Sequence, residues 1–534
     1  MDIPVEFFKI LHPQTITLLL FTTLLARIIY LISLYPNFLT RVRTIPTPKC
    51  RSWTKGSYTE DPMSHIAQLR HWKATVPNRG LIRYYLPGNQ ERLLVTSIEA
   101  LNDILVMKAA DFGKPVAVRR RLSLIAGNGL LLAEGKAHKA QRKRLMPVFS
   151  FRAVKDLYPV FWAKAAEMTN CIERELEVLR GQCHGKDVQE MRKWATRATL
   201  DIIGVAALGH DFDSLRNPNN SLLRQYQLMR QEPSRLEIAL QSVLSLFTRD
   251  ADHLVSLLPT KRAKTVGTAS KFVRNFCTDL VETKRKTQCP DSTNPATIPS
   301  VDIATVALRS SIFTDEQLVD QMMTFVAAGH GTTSHALQWA VYALCKHLKI
   351  QERLRTELHE HLTDRAQTVS SSDIDNLPYL HAVCSETIRL YPPVPSTTRE
   401  AIRSTIVAGY HIPAGIQFTI SPAVMNVDTE LWGLDAETFN PDRWMGEGCK
   451  NTGGVRNHHG FLTFLQGPRS CIGATFAKAE LACLLAALVA RFRMQLEDPN
   501  KEEELIKRGV GSGPADGVRV RFEVVEKRVA DGLR

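Results

Sequence analysis

FLQGPRSCIG, from Phe464 to Gly473, is the most informative segment of this sequence. Gly467 and Gly473 flank Cys471, and glycine permits a positive φ angle and a close approach of the backbone to a flat ligand. Arg469 places a positive charge two residues before the thiol, which favours the thiolate form that binds metals. The helical run ATFAKAELACLLAALVARF follows and would direct the positive end of its dipole toward the sulfur. The segment therefore predicts a thiolate ligand, the alternative being a buried structural cysteine before a helix.

A carboxylate and two arginines stand upstream of this loop. SETIRL places Glu386 and Arg389 three residues apart, which puts both side chains on one face of a helix. The segment YPPVP ends that helix, and Arg443 follows in FNPDRW. On their own, Glu386 and Arg389 would be interpreted as an ordinary ion pair on a helix surface.

The stretch FTDEQLVDQMMTFVAAGHGTTSHALQWAVYAL predicts a long helix. Thr314 is a suitable N-cap, and Gln317 three residues later completes a capping box. Gly329 and Gly331 lie in the interior, where each glycine costs the helix about 1 kcal/mol relative to alanine. A residue that disfavours the helix in which it lies often marks a functional site. The alternative is that these glycines permit close packing against a second helix.

Together these motifs resemble those of the cytochrome P450 family, and the agreement in order and spacing covers nearly the whole chain after its N-terminal segment. The residues that match the haem-binding signature FxxGxRxCxG are Phe464, Gly467, Arg469, Cys471 and Gly473. The resemblance implies the family's fold, which is mainly α with small β-sheets. It also implies that the cofactor is haem b and that Cys471 is the axial thiolate ligand of its iron.

The resemblance assigns roles to residues outside the loop as well. A structural triad that holds the core behind the cysteine loop is implied at Glu386, Arg389 and Arg443. Propionate-binding roles are implied at Arg469, His138, Arg142 and Arg399. His138 stands where the family usually has tryptophan, and it keeps a ring N–H donor. The alternatives are solvated helix residues at positions 138 and 142 and a surface arginine at position 399.

The segment AGHGTT resembles the family's AGx(D/E)T(T/S) segment, where the helix opens over the haem. In the family, an acid and a threonine of this segment handle protons while dioxygen is activated. Thr332 occupies the threonine position and is the predicted catalytic residue, but Gly331 occupies the acid position and cannot relay a proton. This departure means that water, Thr332 or His330 would have to carry the proton.

Residues 15–34, TITLLLFTTLLARIIYLISL, form an apolar run of about the 20 residues that a helix needs to cross a bilayer. Arg27 is its one charge, and basic residues follow at positions 41, 43, 49, 51 and 55, so the positive-inside rule places the rest of the chain in the cytosol. We predict a membrane anchor over residues 1–40 and a single haem-binding domain over residues 41–534. A cleaved signal peptide and a helix lying in the membrane interface are the alternatives.

The composition fits this organisation. The chain of 534 residues is 44% hydrophobic and 23% charged, which is typical of a globular protein with a large core. Its net charge of +14 suits an anionic membrane surface or an acidic protein partner. The sequence has no recognition motif for nucleic acid, so a nucleic-acid partner is not expected. Ten cysteines at irregular spacing indicate reduced thiols rather than a disulfide framework.

The resemblance implies a monooxygenase that oxidises an apolar small molecule with dioxygen. Electrons would come from NADPH–cytochrome P450 reductase, because the sequence shows no dinucleotide-binding fingerprint of its own. The expected location is the endoplasmic reticulum membrane, with one pass and the catalytic domain facing the cytosol. The motifs resemble those of fungal enzymes that tailor secondary metabolites, which favours a polyketide or terpenoid substrate. The alternatives are a haem-thiolate isomerase or dehydratase without dioxygen activation, which Gly331 would suit, and a non-catalytic haem sensor or carrier.

Overall fold

Helices dominate the computed structural model, which describes residues 13–49, 56–57, 65–86, 89–182, 187–229, 231, 234–244, 248, 251–287, 302–309, 313–362, 369–500 and 513–525. In chain order its first α-helices are α1 Pro13–Ile29, α2 His65–Thr75, α3 Ile98–Asn102, α4 Val116–Ala126, α5 Gly135–Leu145, α6 Phe151–Lys155, α7 Tyr158–Gln182, α8 Met191–Ile203, α9 Ser221–Met229 and α10 Arg235–Leu244. They are followed by α11 Ala251–Ser256, α12 Lys261–Thr287, α13 Ile303–Arg309, α14 Asp315–Lys346, α15 Leu348–Leu362, α16 Ser371–Asp375, α17 Pro378–Leu390, α18 Pro422–Met425, α19 Thr429–Trp432 and α20 Ala474–Arg491.

Short strands form small sheets beside the helices. The strands are β1 Leu81–Leu86, β2 Gln90–Val95, β3 Phe112–Gly113, β4 Val188–Glu190, β5 Thr397–Ala401, β6 Thr405–Val407, β7 Tyr410–Ile412, β8 Gln417–Ile420, β9 Phe492–Leu496 and β10 Arg519–Val524. The largest sheet has the order β1-β2-β8-β5-β3, in which β2 and β8 are parallel and the other pairs antiparallel. The smaller sheets have the orders β4-β10-β9 and β6-β7. This agrees with the predicted class, mainly α with small sheets.

An exposed apolar helix precedes the domain. α1 continues as a π-helix over Tyr30–Leu39, and the segment Thr17–Tyr35 has a mean hydropathy of 2.0 with none of its residues buried. By length and composition this helix can cross a membrane. It runs beyond the predicted end at residue 34, and its π-type part includes Pro36, which has no N–H for regular α-helical hydrogen bonding. Residues 1–12 and 50–55 of the predicted anchor and its basic flank, and most of a predicted surface loop at 286–300, lie outside the described residues.

The helical core is built around α14. This helix is buried along most of its length, and it packs on α8 and also contacts α4, α12, α17 and α20. The predicted capping box is confirmed: the Gln317 N–H donates to Thr314 Oγ1 over 3.3 Å, and the Thr314 N–H donates to Gln317 Oε1 over 3.3 Å. Farther along, Trp339 is fully buried and stacks on Tyr391 with ring centroids 4.5 Å apart. α14 is thus a fixed wall for the site that lies beside it.

The cysteine loop lies between two apolar clusters. Phe464 and Ile472 pack against the large helical cluster, whereas Leu465 packs against the cluster at the five-stranded sheet, to which Leu462 just before the loop belongs. The loop therefore joins the helical and the sheet parts of the molecule. Its position is fixed by burial on both sides rather than by the loop sequence alone.

Candidate active site

The cysteine loop is closed by a backbone hydrogen bond in which the Cys471 N–H donates to the Phe464 carbonyl over 2.8 Å. Gly467 has a φ of +75°, and a Cβ there would lie 2.0 Å from the Leu105 carbonyl oxygen. The predicted need for glycine at this position is therefore confirmed. Leu465 also has a positive φ, +56°, which is uncommon for leucine and occurs where the surrounding structure holds a strained backbone in place.

Gly473 does not share this conformation. Its φ is an ordinary −89°, and a Cβ there would only approach Phe149, at 4.0 Å. The positive φ that a glycine permits is therefore not used at Gly473, and this residue serves instead as the N-cap of α20. Its backbone N–H hydrogen-bonds the Cys471 sulfur and lowers the pKa of that thiol. The positive end of α20 thus faces the sulfur, as the sequence predicted.

Cys471 differs from the other described cysteines. It is exposed, whereas those at 277, 345, 384 and 483 are buried. Burial among neighbouring protein atoms nevertheless raises the pKa of the Cys471 thiol. The Gly473 N–H and the charge of Arg142 lower that pKa. An accessible sulfur with a donor and a cation directed at it suits a thiolate ligand.

Basic residues from four segments of the chain converge beside this loop. They are Lys114, His138, Arg142, Arg399 and Arg469. Burial, together with repulsion from Arg469, lowers the pKa of Arg399 to about 10. Burial and the charge of Arg399 lower the pKa of Lys114 to about 8. Among the described residues, the Glu134 carboxylate opposes this repulsion: it pairs with Arg469 at 2.8 Å, and it accepts a hydrogen bond from the Lys114 backbone N–H over 2.9 Å.

The structure excludes the solvent-exposed positions that were the alternatives for His138, Arg142 and Arg399. His138 is 8% exposed, and burial followed by the charges of Arg469, Lys114 and Arg142 lowers its pKa to about 4, so its ring is neutral at pH 7 and keeps one N–H donor. Arg142 ties α5 to the cysteine loop by donating to the Ser470 carbonyl over 2.7 Å. Arg399 is buried on β5 and is not a surface arginine.

The residues present fit a haem. Four buried or half-buried cations around one carboxylate leave an excess of positive charge, which is costly unless anions balance it. The two propionates of a haem are anions of the right kind, and the accessible sulfur of Cys471 lies beside the same cluster. Within the described residues no group of three or more His, Cys, Asp or Glu could hold a metal ion.

The two interior glycines of α14 face different surroundings. A Cβ on Gly329 would lie 2.6 Å from Ile203 Cδ1, so this glycine permits close packing of α14 on α8, as the alternative interpretation held. A Cβ on Gly331 would meet no heavy atom within 4 Å. The half-buried Thr332 is the next residue, and its hydroxyl donates to the Ala328 carbonyl over 2.8 Å. α14 is α-helical throughout, so the expected opening over the haem is not a break in this helix.

His330 is placed away from Thr332. It is 6% exposed, its Nδ1 lies 2.6 Å from the Val326 carbonyl oxygen, and its ring meets Tyr226 of α9 edge-on at 5.1 Å between centroids. Side chains two residues apart in an α-helix point about 200° apart around its axis. Of the three proton carriers considered from the sequence, water and Thr332 therefore suit the geometry better than His330.

The predicted triad residues form one buried network. Arg389 donates to both carboxyl oxygens of Glu386, over 2.7 and 2.8 Å, and Arg443 Nε donates to the same carboxylate over 3.0 Å. Glu386 and Arg389 are fully buried, which excludes an ion pair on the helix surface. Trp444 Nε1 adds a further donor to Glu386 over 2.9 Å, which the sequence did not reveal.

Asn426 connects this network to the cysteine loop. Its side-chain amide donates to the Arg389 carbonyl over 3.0 Å and to the Thr463 hydroxyl over 2.8 Å. Its side-chain oxygen accepts the Leu462 N–H over 2.8 Å. The triad and the start of the cysteine loop are therefore held by one set of buried hydrogen bonds, although 37 residues separate Asn426 from Thr463.

Comparisons with known proteins agree with this site. Residues 78–517 match the family model described as Cytochrome P450. The chain is 43% identical to cytochrome P450 monooxygenase sphH of Aspergillus fumigatus, over 96% of this chain and 94% of that relative. It is 38% identical to cytochrome P450 monooxygenase FSL4 of Gibberella zeae (92% and 90% covered) and 37% identical to cytochrome P450 monooxygenase ALT8 of Alternaria alternata (92% and 91% covered). The chain therefore belongs to the cytochrome P450 family, and it is a monooxygenase with a haem-thiolate iron cofactor.

Proposed function

We propose that Cys471 holds the iron of haem b through its thiolate and that the enzyme oxidises an apolar small molecule with dioxygen. The observation that carries this proposal is an accessible sulfur at the N-terminus of α20, next to a buried cluster with excess positive charge. When bound, the haem supplies the redox chemistry that activates dioxygen. The protein holds the thiolate, binds the propionates, orients the substrate and delivers protons.

We assign separate tasks to the residues of the site. The Gly473 N–H and the nearby positive charge stabilise the Cys471 thiolate. The groups proposed to bind the propionates are His138, Arg142, Arg399, Arg469 and the unpredicted Lys114. Thr332 would hold and pass a proton at Oγ1, beside the open space at Gly331. The residues proposed to hold the structure behind the loop are Glu386, Arg389 and Arg443.

Arg399→Met is expected to weaken haem binding without destabilising the protein that lacks haem. The buried guanidinium is repelled by Arg469, so its removal relieves that repulsion, whereas a charge-assisted hydrogen bond to a propionate is worth about 1.5–3 kcal/mol. We expect roughly 10–100-fold faster transfer of haem to apomyoglobin, since each 1.4 kcal/mol corresponds to a factor of ten. Arg121→Met, an exposed change on α4, is the control. Equal transfer rates for the two variants would contradict the assignment.

We propose that residues 1–40 anchor the enzyme in the endoplasmic reticulum membrane and that residues 41–534 form one domain facing the cytosol. The support is the exposed apolar segment Thr17–Tyr35 with Arg41 and Arg43 directly after it. Deleting residues 1–40 should move the protein from carbonate-washed microsomes into the soluble fraction. If carbonate extracted the full-length chain from the membrane, the helix would instead lie in the membrane interface. If the mature chain were shorter than the full-length chain, the segment would be a cleaved signal peptide.

We propose that NADPH–cytochrome P450 reductase supplies the electrons, one at a time. The net charge of +14 would favour encounter with an acidic partner. In microsomes under carbon monoxide, NADPH with added reductase should then produce the same reduced spectrum that dithionite produces. Reduction by dithionite alone would instead favour an isomerase or dehydratase, or a haem sensor without turnover.

For the substrate, we propose an apolar polyketide or terpenoid intermediate of secondary metabolism. The support is the resemblance of the motifs to fungal tailoring enzymes, together with similarity to monooxygenases from three fungi. Titrating the purified enzyme with a panel of polyketide and terpenoid scaffolds should produce the blue-shifted Soret difference spectrum of a displaced iron-bound water. If only polar scaffolds produced this difference spectrum, the proposed substrate class would be contradicted.

A further inference from the structure

A recess in the surface lies between α7, α8 and the segment that precedes α9, and its volume is about 370 Å³. The charged and aromatic side chains that line it are those of Arg174, Glu175, Lys193, Trp194, Arg197 and Arg216. Cations therefore outnumber carboxylates in this lining. The excess of positive charge is separate from the basic cluster beside Cys471, since the two share no residue.

Two guanidinium groups of this recess lack a carboxylate partner. Glu175, the carboxylate of the lining, is engaged by Lys193, whose ammonium lies 2.5 Å from one of its oxygens. Within the part of the chain that the structure describes, neither Arg174 nor Arg197 donates a hydrogen bond or forms an ion pair. Arg197 is half-buried, and burial lowers its pKa, although the charge of Glu175 opposes this effect. A half-buried cation without a partner costs free energy that a bound anion would offset.

Arginines from three segments of the chain converge around one thiol of the recess. Burial raises the pKa of the half-buried Cys171, whereas the charges of Arg174 of α7, Arg216 of the segment before α9 and Arg197 of α8 all lower it. The guanidinium of Arg197 is also held over the ring of Trp194, 5.7 Å from the ring centroid. An anion in the recess would therefore be contacted from several directions, by side chains that the fold already holds together.

This arrangement favours a phosphate ester over a carboxylate. A carboxylate is flat and accepts the planar fork of an arginine in its own plane, whereas a tetrahedral phosphate group accepts donors from several directions. The recess is larger than a phosphate ion requires, and Leu215 and Pro218 add apolar surface to its lining for an organic part of the ligand. Arg216 already pairs with Glu167 at 2.5 Å, and its side chain is 66% exposed, so we place it at the rim.

We propose that this recess binds the phosphate group of a small organic phosphate ester, with Arg174 and Arg197 as the principal ligands. The ligand is an effector rather than a substrate, because α8 separates it from the active site. With another face, α8 packs on α14: the Thr199 hydroxyl donates to the His330 carbonyl over 2.9 Å. Side chains two residues apart, such as Arg197 and Thr199, point about 200° apart around a helix. Occupancy of the recess therefore acts on the helix that supports the wall of the active site.

The first test is a calorimetric titration of the haem-loaded full chain with phenyl phosphate. We expect saturable binding that Arg174→Gln, an exposed change, weakens at least about tenfold through the loss of a charge-assisted hydrogen bond. Arg180→Gln removes the same charge from α7 outside the recess, where Arg180 is 49% exposed, and it should bind as the wild type does. Benzoate, with the same ring and a flat carboxylate, should bind more weakly than phenyl phosphate. No binding by the wild type, equal effects of the two arginine variants, or equal affinity for benzoate would overturn the proposal.

The second test uses Cys171 as a reporter of the recess in the same haem-loaded chain. Saturating phenyl phosphate should slow the alkylation of Cys171 by N-ethylmaleimide severalfold, and it should leave unchanged that of Cys449, a half-buried thiol outside the recess. Mass spectrometry of the two peptides measures both rates. Vesicles of phosphatidylcholine and phosphatidylinositol 4-phosphate distinguish the sources of the ligand: protection by these vesicles as well supports a lipid headgroup, and protection by phenyl phosphate alone supports a soluble metabolite. If neither probe protected Cys171, or if Cys449 were protected equally, the proposed site would be wrong.

Discussion

Cys471→Ser is expected to abolish the thiolate-type, red-shifted Soret band of the reduced, carbon-monoxide-bound enzyme. Serine offers a neutral hydroxyl in place of the soft thiolate of Cys471, whose accessible sulfur lies beside the basic cluster that we propose binds the propionates. Loss of a group that only supports a metal ligand already costs roughly 10–100-fold in affinity or activity, so loss of the ligand itself should exceed that factor. The measurement is a difference spectrum of microsomes that contain equal amounts of each full-length protein.

Cys449→Ser is the matched control for this experiment. Cys449 is a half-buried free thiol, whereas Cys471 is exposed, and Cys449 lies in a turn outside the site. Its replacement should leave the band unchanged. A red-shifted band that survives in Cys471→Ser would remove the proposed ligand, and the roles assigned around it would have to be reassigned.

Glu386→Ala is expected to lower the free energy of unfolding by about 3–5 kcal/mol, because removing one partner of a buried ion pair leaves an uncompensated charge. Arg389, which is fully buried, would lose both of its hydrogen bonds to a carboxylate, and Arg443 and Trp444 would each lose one acceptor. The midpoint of unfolding in denaturant, followed by the haem absorbance, measures the effect. The unfolding midpoint of Glu386→Gln should lie between those of the wild type and Glu386→Ala, because glutamine keeps the shape of the side chain and one hydrogen-bond acceptor.

The control for this second change is Arg285→Ala. Arg285 pairs with Asp315 at 2.5 Å, but both side chains are 55% exposed. Exposed ion pairs contribute about 0–1 kcal/mol, so this variant should unfold close to the wild-type midpoint. If Arg285→Ala and Glu386→Ala lowered the free energy of unfolding equally, the triad would not act as a buried network.

The parts of the fold that depend on neighbouring residues could be predicted from the sequence. The capping box of Thr314 and Gln317, the long helix after it and the positive φ of Gly467 all follow from short-range patterns. Strands such as β3 and β5 could not be found in this way. They pair Phe112 with Ala401, nearly three hundred residues apart, and two to five residues show no clear periodicity.

In the site, too, only the features that depend on residues close in sequence could be predicted. The cysteine loop and the triad are marked by spacing, whereas Lys114 and Glu134 reach the loop only through tertiary folding and carry no local signal. The sequence does not show that Gly473 has an ordinary negative φ, because a glycine after a ligand and a glycine at a helix N-cap look alike in sequence. Glu480 of α20 is a single acid in the largely apolar run ELACLLAALVA, and only the packing of α20 on α14 shows that this residue is 1% exposed.

The contrast between Gly329 and Gly331 also determines where this enzyme can diversify. A side chain at 329 would overlap the end of the Ile203 side chain, so variants there should lose stability, and larger side chains should lose more. Position 331 has open space, so a library randomised at this codon should yield mostly folded proteins that differ in the walls presented to the substrate. Laboratory selection for a new product can therefore begin at position 331, two residues from a position where any added side chain meets Ile203.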